Sequence, residues 1–267
     1  MLKLSLPPNW IHRHFDSVAS TMLCCDPSTV EPGQFLLITA DEQTAGRGQR
    51  GTTWESSKGQ NLTFNIGWRP SPDTTWPAAN EQFLISEITA LAVVGAIEDT
   101  LSEHRALSEG NLEVKWPNDI YFGDRKICGM LLEHQLSGKH IASSIAGIGI
   151  NVNQASFATL EGREEGRGAP ISLHQIIGHN VSREAVLEAF IRHFTDGIRI
   201  LQEGHYDKVE HAFTTLLYRR TGWHHYRDAE GEFIGEFASI ARNGILTLRK
   251  QNSHLHSYAF KEVAYVI

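Results

Sequence analysis

Residues 113–132 read EVKWPNDIYFGDRKICGMLL. Leu112 to Trp116 form a strand-like run that carries Lys115, and Pro117 ends it, because proline has no N–H to offer a sheet ladder. Asn118 and Asp119 therefore stand at a strand end, a position from which rigid elements present polar groups to a ligand. A second strand begins at Lys126 and runs to His134, so a cation can face back across the hairpin at the Asn–Asp pair. Taken alone, a polar hairpin with a solvated DRK turn explains the stretch more simply.

Outward from this hairpin the chain continues to read as sheet with packed helices. Residues 34–40, 61–68 and 143–150 are aliphatic or aromatic runs bounded by glycine or polar clusters, as strands require. Residues 80–102 are apolar almost all round at their centre (Ala90 to Val94, Ala96, Ile97), which predicts a helix buried on most sides. Ser182 can cap a second helix whose Leu187, Ile191, Phe194, Ile198 and Leu201 recur at helical spacing up to a stop at Gly204. After about Thr221 the pattern changes to short strands and turns, EGEF around Gly231 and the pair Asn243–Gly244. The expected fold class is α+β: a central mixed β-sheet backed by helices over residues 1–220, and a small β-barrel-like domain over 221–267. The charged stretch EGREEGRG at 161–168 reads as a mobile loop.

At 267 residues, with 41% hydrophobic and 21% charged, the chain has the composition of a folded protein of one large domain and room for a small one. A formal charge of -7 disfavours general attraction to a nucleic-acid backbone. Three cysteines, two of them adjacent at Cys24 and Cys25, make no disulfide framework and point to a reducing compartment, the cytoplasm. The longest apolar run, residues 90–97, is far short of the ~20 residues a membrane helix needs, and the N-terminus has no export pattern.

Two further segments carry candidate chemistry. Residues 42–51, EQTAGRGQRG, lie in a long polar loop from 41 to 59 that is followed by a strand. The glycines let backbone N–H groups turn toward a ligand, and Arg47 and Arg50 supply charge for a carboxylate or phosphate. A Gly/Arg surface loop or an RNA-contacting segment fits the same residues, and the spacing is that of neither a Walker loop nor a dinucleotide fingerprint. In GIGINVN, residues 147–153, Asn151 and Asn153 alternate onto one face with a donor and an acceptor each, as an adenine or ribose edge requires; a strand end with an asparagine turn fits as well.

Ser20–Thr21, GRGQRG with Trp54, KWPNDI, DRKICGMLLE and GIGINVN occur in the order and approximate spacing of the biotin protein ligase family, which the chain resembles from about Phe15 to its C-terminal strands. The resemblance implies a class II synthetase-like catalytic domain with an SH3-like C-terminal domain. It implies ATP-dependent formation of biotinyl-5'-AMP and transfer of biotin to a lysine of a biotin carboxyl carrier protein, with Mg²⁺ accompanying ATP. Carried over by position, Ser20, Thr21 and Gln43 would bond the ureido ring, with Gly46 and Arg47 closing over it. Arg47 and Lys126 would meet the biotin carboxylate and the α-phosphate, and Gly129 would leave space for the ring. Gly48, Arg50, Trp54, Lys115, Asn118 and Asn151 would serve ATP, and Asp119 would assist Mg²⁺ or orient Lys126; no set of metal ligands is implied.

Gln49 stands where well-known members often carry a second arginine, which bears on adenylate retention. Many bacterial members carry an N-terminal helix-turn-helix domain; only about fourteen residues precede the resemblance here, so no repressor role is expected. Strand-edge homodimers are known in the family. A lipoate or octanoate ligase is the nearest rival, against which the KWPND motif and C-terminal strands speak, and a non-catalytic biotin-sensing module is the rival of another class.

Other conspicuous residues have plainer readings. The pairs His12/His14, His224/His225 and His254/His256 lack the spacing and carboxylate company of a zinc site, which leaves structural or surface roles. Cys128, with no base partner, reads as a small buried residue, and Trp10, Trp68 and Trp223 as packing anchors.

Overall fold

The computed structural model describes residues 2–48, 54–106, 110–157, 168–251 and 253–267. Its strands are β1 (Trp10–Phe15), β2 (Phe35–Ala40), β3 (Leu62–Trp68), β4 (Leu112–Lys115), β5 (Asp119–Phe122), β6 (Arg125–Ser137), β7 (His140–Ile150), β8 (His224–Asp228), β9 (Gly231–Ile240), β10 (Leu246–Lys250), β11 (Leu255–Tyr258) and β12 (Ala264–Tyr265). The helices are α1 (Thr21–Cys24), α2 (Phe83–Glu103), α3 (Leu173–Ile177), α4 (Arg183–Gln202) and α5 (Tyr206–Thr215). Seven strands form one sheet in the order β1-β2-β3-β7-β6-β5-β4, and the last five form a second, β11-β10-β9-β8-β12. The larger sheet is mixed, because β1 joins β2 in parallel while every other pair is antiparallel.

The two faces of the larger sheet differ in a way that positions the site. Register places Phe35 and Leu37 beside Phe64, Ile66 and Trp68, then beside Ala146, Ile148 and Ile150, and all of these belong to one core with α2 and α4. Rings of Trp10, Phe35, Trp68 and Phe194 lie 5.0 to 6.1 Å apart there, so α4 is fixed by aromatic packing as well as by area. The opposite face carries Thr63, Asn65 and Gly67 on β3, Gly147 and Gly149 on β7, and Gly129 on β6, in adjacent register. A slip of one residue would exchange the two sets, so burial of the first set fixes where the second points.

Strands 34–40 and 61–68, the 80–102 helix and the Ser182-capped helix form close to their expected bounds, and Ser182 Oγ accepts the Ala185 N–H at 3.1 Å. The hairpin of residues 113–132 is instead a three-strand meander. Residues 119–122, DIYF, form β5 between β4 and β6, turning through Gly123 at φ +57°. β1, α3 and α5 were also not anticipated. β1 mixes basic and apolar residues at the sheet edge, and α3 and α5 are short. Trp10 and Trp68 are buried anchors, but Trp223 is 46% exposed and anchors nothing in the core. Residues 161–167 of the charged loop lie outside the described residues.

The expected small β unit is a five-stranded antiparallel sheet, and its core is continuous with the rest. Trp116 Nε1 donates to the Gly244 carbonyl at 3.0 Å, so the strand that leads into Pro117 is tied to the β9–β10 turn. Gly244 has φ +87°, and a Cβ there would come within 2.9 Å of Phe83 and Phe260, so both backbone and packing require glycine. Arg242, beside that turn, reaches Glu81, Asp207 and Glu210 at 2.9 Å each and joins this sheet to the start of α2 and to α5.

Candidate functional site

The glycine strip on the face away from α2 and α4 is the floor of the site. A Cβ on Gly149 would lie 2.4 Å from the Trp54 indole, and one on Gly129 would lie 2.9 Å from Lys126 Nζ and 3.0 Å from Trp54 Cζ3. Trp54 thus lies flat against two glycines and within 5.6 Å of the Lys126 ammonium, a cation–π distance. Further along β7, a Cβ on Gly147 would lie 2.8 Å from Asn65 Nδ2 and 3.0 Å from Met22 Sδ. Two chemically different ends result, a charged and aromatic one at Lys126 and a neutral polar one at Asn65.

The neutral end is built from three segments. Thr21 N donates to Gln43 Oε1 at 2.8 Å, and Thr21 Oγ1 lies 2.9 Å from the same oxygen and close to Asn65 Oδ1. Ser20 is 1% exposed and its Oγ has no hydrogen-bond partner. A buried hydroxyl left without a partner costs about 1–3 kcal/mol, so its retention beside this cluster points to a ligand that supplies the missing bond. Gly46 meets Trp54 backbone to backbone: Trp54 N donates to Gly46 O at 3.0 Å, and a Cβ on Gly46 would lie 2.6 Å from Trp54 O. The loop therefore folds back over the strip, with Arg47 exposed and Gly48 half-buried beyond it.

At the charged end Lys126 Nζ donates to Asp119 Oδ1 at 2.6 Å, across the β5–β6 pair where Asp119 faces Gly129. The two side chains are 21% and 14% exposed, so the pair is partly desolvated yet open to a ligand. The carboxylate holds the ammonium in one position, which gives a fixed positive charge at the edge of the glycine floor. Asn118 supports this corner through the backbone, its Nδ2 donating to the Met130 carbonyl and its own carbonyl accepting the Met130 N–H at 2.9 Å. Asn151 is 3% exposed, and its Nδ2 donates to the carbonyls of Lys126 and Ile171 at 3.3 and 3.0 Å. It therefore braces the strand that carries Lys126. Asn153 is occupied on both sides of its amide by the Val181 backbone at 2.9 Å.

Of the residues singled out in the sequence, Ser20, Thr21, Gln43, Gly46, Trp54, Asp119, Lys126 and Gly129 come together around the strip. Lys115 is held differently: it is buried, with Nζ 5.3 Å from the Tyr121 ring and 4.8 Å from that of Tyr265 in the C-terminal sheet. Gln49 and Arg50 lie outside the described residues. Cys128 is fully buried on the helix side, and burial pushes its thiol well above the usual range, which removes it as a nucleophile.

Asn65 and Met22 were not read as site residues from the sequence, and the glycines at 147 and 149 only as small residues of GIGINVN that allow close approach. The signal for Asn65 was present in LTFNIGW, residues 62–68, where one amide interrupts an apolar run whose every position is buried. The expectation that no histidine pair has carboxylate company also fails, because His14, Asp16 and Asp41 place donor atoms within 4.8 Å of one another. Asp41 reaches His14 through the parallel β1–β2 pairing, which spacing along the chain does not reveal.

A family model for the biotin/lipoate A/B protein ligase family matches residues 21–151. The chain is 30% identical over 226 residues to the bifunctional ligase/repressor BirA of Bacillus spizizenii, covering 80% of this chain and 62% of that protein. It is 29% identical over 212 residues to the biotin–acetyl-CoA-carboxylase ligase of Paracoccus denitrificans, covering 79% of this chain and 83% of that one. In fold it is similar to a biotin protein ligase from Aquifex aeolicus solved in complex with biotin and ATP, with TM-score 0.70 at 24% identity, over 96% of this chain and 98% of the other. The chain spans about three-fifths of the length of the two BirA proteins from Bacillus, 62% and 61%.

Proposed function

We propose that the chain belongs to the biotin/lipoate A/B protein ligase family and that it is an ATP-dependent biotin protein ligase. It joins biotin to AMP as biotinyl-5'-AMP and passes the biotinyl group to one lysine of a biotin carboxyl carrier domain. The single observation that carries the reading is the two-ended glycine strip. A buried hydroxyl without a partner stands beside the Thr21–Gln43–Asn65 cluster at one end, and a fixed ammonium stands at the other. Such a strip suits a flat, neutral, hydrogen-bonding ring joined by an apolar chain to a carboxylate. In this reading Ser20, Thr21 and Gln43 hold the ureido group, with Asn65 added to the set, and Gly147 and Gly129 leave room for the ring and its chain.

Joining a carboxylate to a triphosphate brings two anions together, so positive charge must sit between them. Lys126 supplies it from one side and Arg47 from the loop. The biotin carboxylate attacks the α-phosphorus and pyrophosphate leaves; the neutral lysine amine of the acceptor then attacks the acyl carbon and AMP leaves. No nucleophile of the enzyme is needed, consistent with the suppressed thiol of Cys128. When bound, Mg²⁺ would supply further neutralising charge for the phosphates of ATP. Asp119 is the carboxylate that stands beside Lys126, and one carboxylate with substrate phosphates is a donor set this ion accepts.

On the nucleotide side Trp54 offers a face to the adenine; the resemblance assigns Gly48, Arg50, Asn118 and Asn151 to ATP as well, with Asn118 and Asn151 acting through the backbone they brace. Lys115 serves it indirectly by fixing β4 against the C-terminal sheet. Residues 221–267 make up the small C-terminal domain, packed against the catalytic domain of residues 1–220. The reading also carries a cytoplasmic place of action and admits a homodimer without requiring one; no described helix is long and apolar enough to cross a membrane.

The test is to incubate the purified chain with biotin, MgATP and an isolated carrier domain, and to follow the carrier by mass spectrometry. One biotinyl addition on a single lysine, dependent on ATP, supports the reading. Lipoyl addition instead, or biotin binding without any ATP-dependent product, would replace it with the lipoate ligase or the non-catalytic binder respectively.

A further inference from the structure

We propose that His14, Asp16 and Asp41 form a binding site for one divalent transition-metal ion, of the zinc class, at the root of the loops that build the biotin end of the site. The His14 side chain is only 5% exposed, although the backbone of this outer strand is open to solvent. Its Nδ1 lies 2.9 Å from Thr39 Oγ1, and the same hydroxyl lies 2.8 Å from His12 Nε2. Two proton arrangements satisfy this chain; in the one running His14 Nδ1–H to Thr39 Oγ and Thr39 O–H to His12 Nε2, the lone pair of His14 is left on Nε2, free for an ion.

Nε2 of His14 is buried and has no hydrogen-bond partner, yet it points at two carboxylates, Asp41 Oδ2 at 3.3 Å and Asp16 Oδ1 at 3.8 Å. In that arrangement the lone pair faces two anionic oxygens, a contact that a cation between them turns from repulsive to favourable. Donor atoms around a tetrahedral ion with bonds of about 2.0–2.1 Å are separated by about 3.3 Å, the His14–Asp41 spacing. Asp16, 93% exposed, needs only a small side-chain rotation to close from 3.8 Å. Arg183 occupies the other oxygen of Asp41 at 3.2 Å, which orients that carboxylate toward His14 and leaves the cluster with net negative charge. An imidazole with two carboxylates suits Zn²⁺ better than the all-oxygen ions Mg²⁺ and Ca²⁺.

Position gives the ion a consequence. Asp16 leads into Ser20 and Thr21, and Asp41 leads into Gln43 and Gly46. The two segments already run side by side, with Val18 N bonded to Glu42 O at 3.1 Å, Thr44 N to Val18 O at 3.0 Å and Ala45 N to Ala19 O at 2.8 Å. An ion shared by Asp16 and Asp41 clamps these segments where they diverge from the sheet.

The experiment titrates the metal-stripped full chain with Zn²⁺ against a chromophoric chelator, in parallel with Asp16→Asn and His14→Gln. Asp16→Asn alters an exposed side chain and keeps the fold, so it stands even if the histidine variant is unstable. The expected result is one equivalent of Zn²⁺ in the parent that is missing from both variants, and slower hydrogen exchange of the Thr44 and Ala45 amides in the loaded protein. No binding by the parent, or the same stoichiometry in Asp16→Asn, would reduce the cluster to a histidine–aspartate ion pair and overturn the site. Unchanged exchange on loading would overturn the clamp.

Discussion

Replacing Glu87 by glutamine should abolish a loss of stability that the parent protein suffers as pH rises. Glu87 lies on the buried side of α2, is 4% exposed, and its Oε2 has no hydrogen-bond partner. Burial, reinforced by Glu210 and partly offset by Arg242, raises its pKa from 4.5 to about 8. Folded chains keep the proton where unfolded chains release it, so the folded state binds more protons between those values. Stability is therefore fully present below pH 4.5 and falls as pH rises through about 8. At ~1.4 kcal/mol per unit the whole effect is on the order of 5 kcal/mol, of which about 3 kcal/mol is lost between pH 6 and pH 9. For a chain of this length that is a change of roughly 5 °C in midpoint. Urea unfolding of parent and Glu87→Gln at pH 6 and pH 9 should show the variant gaining about 3 kcal/mol relative to the parent at the higher pH. Parallel pH dependence in the two proteins would refute the reasoning, since it would mean that Glu87 is ionised or solvated in the folded state.

Further outcomes follow from the site. Ser20→Ala should leave stability unchanged or raise it, because the hydroxyl has no partner in the free protein, while weakening biotin binding roughly tenfold by calorimetry. Gly147→Val should raise KM for biotin far more than KM for ATP, since the added carbons press on Asn65 and Met22 at the neutral end. Lys126→Ala should lower the rate of adenylate formation by about 10²–10³, measured by single-turnover kinetics, and adding Asp119→Asn should cost less than its effect in the parent, because the two act as a pair. Cys128 should resist iodoacetamide in the folded protein at neutral pH, as judged by peptide mass mapping.

Sequence patterning revealed those parts of the fold whose signal is local. The all-buried runs of β2 and β3 and the helical stripe of α4 show their period or their continuity within a single window. β5 escaped because its four residues fall between a proline and a glycine turn, and only pairing on both sides makes them a strand. Motif order located Ser20, Thr21, Gln43, Trp54, Asp119 and Lys126, but the geometry that unites them is a property of register. Gly129 faces Gly149 across the β6–β7 hairpin, and Gly147 faces Asn65 from a strand distant in the chain. Lys115 shows the converse limit. The resemblance assigns it to ATP, and nothing in the sequence signals the tyrosine rings that β5 and the last strand bring beside its ammonium.

The most direct measurement of the central claim is biotin-dependent exchange of labelled pyrophosphate into ATP with Mg²⁺, run beside lipoate and octanoate. Exchange with biotin alone, lost in Lys126→Ala, is the predicted result. Exchange with lipoate or octanoate in place of biotin, or none with any of the three acids, would contradict the account.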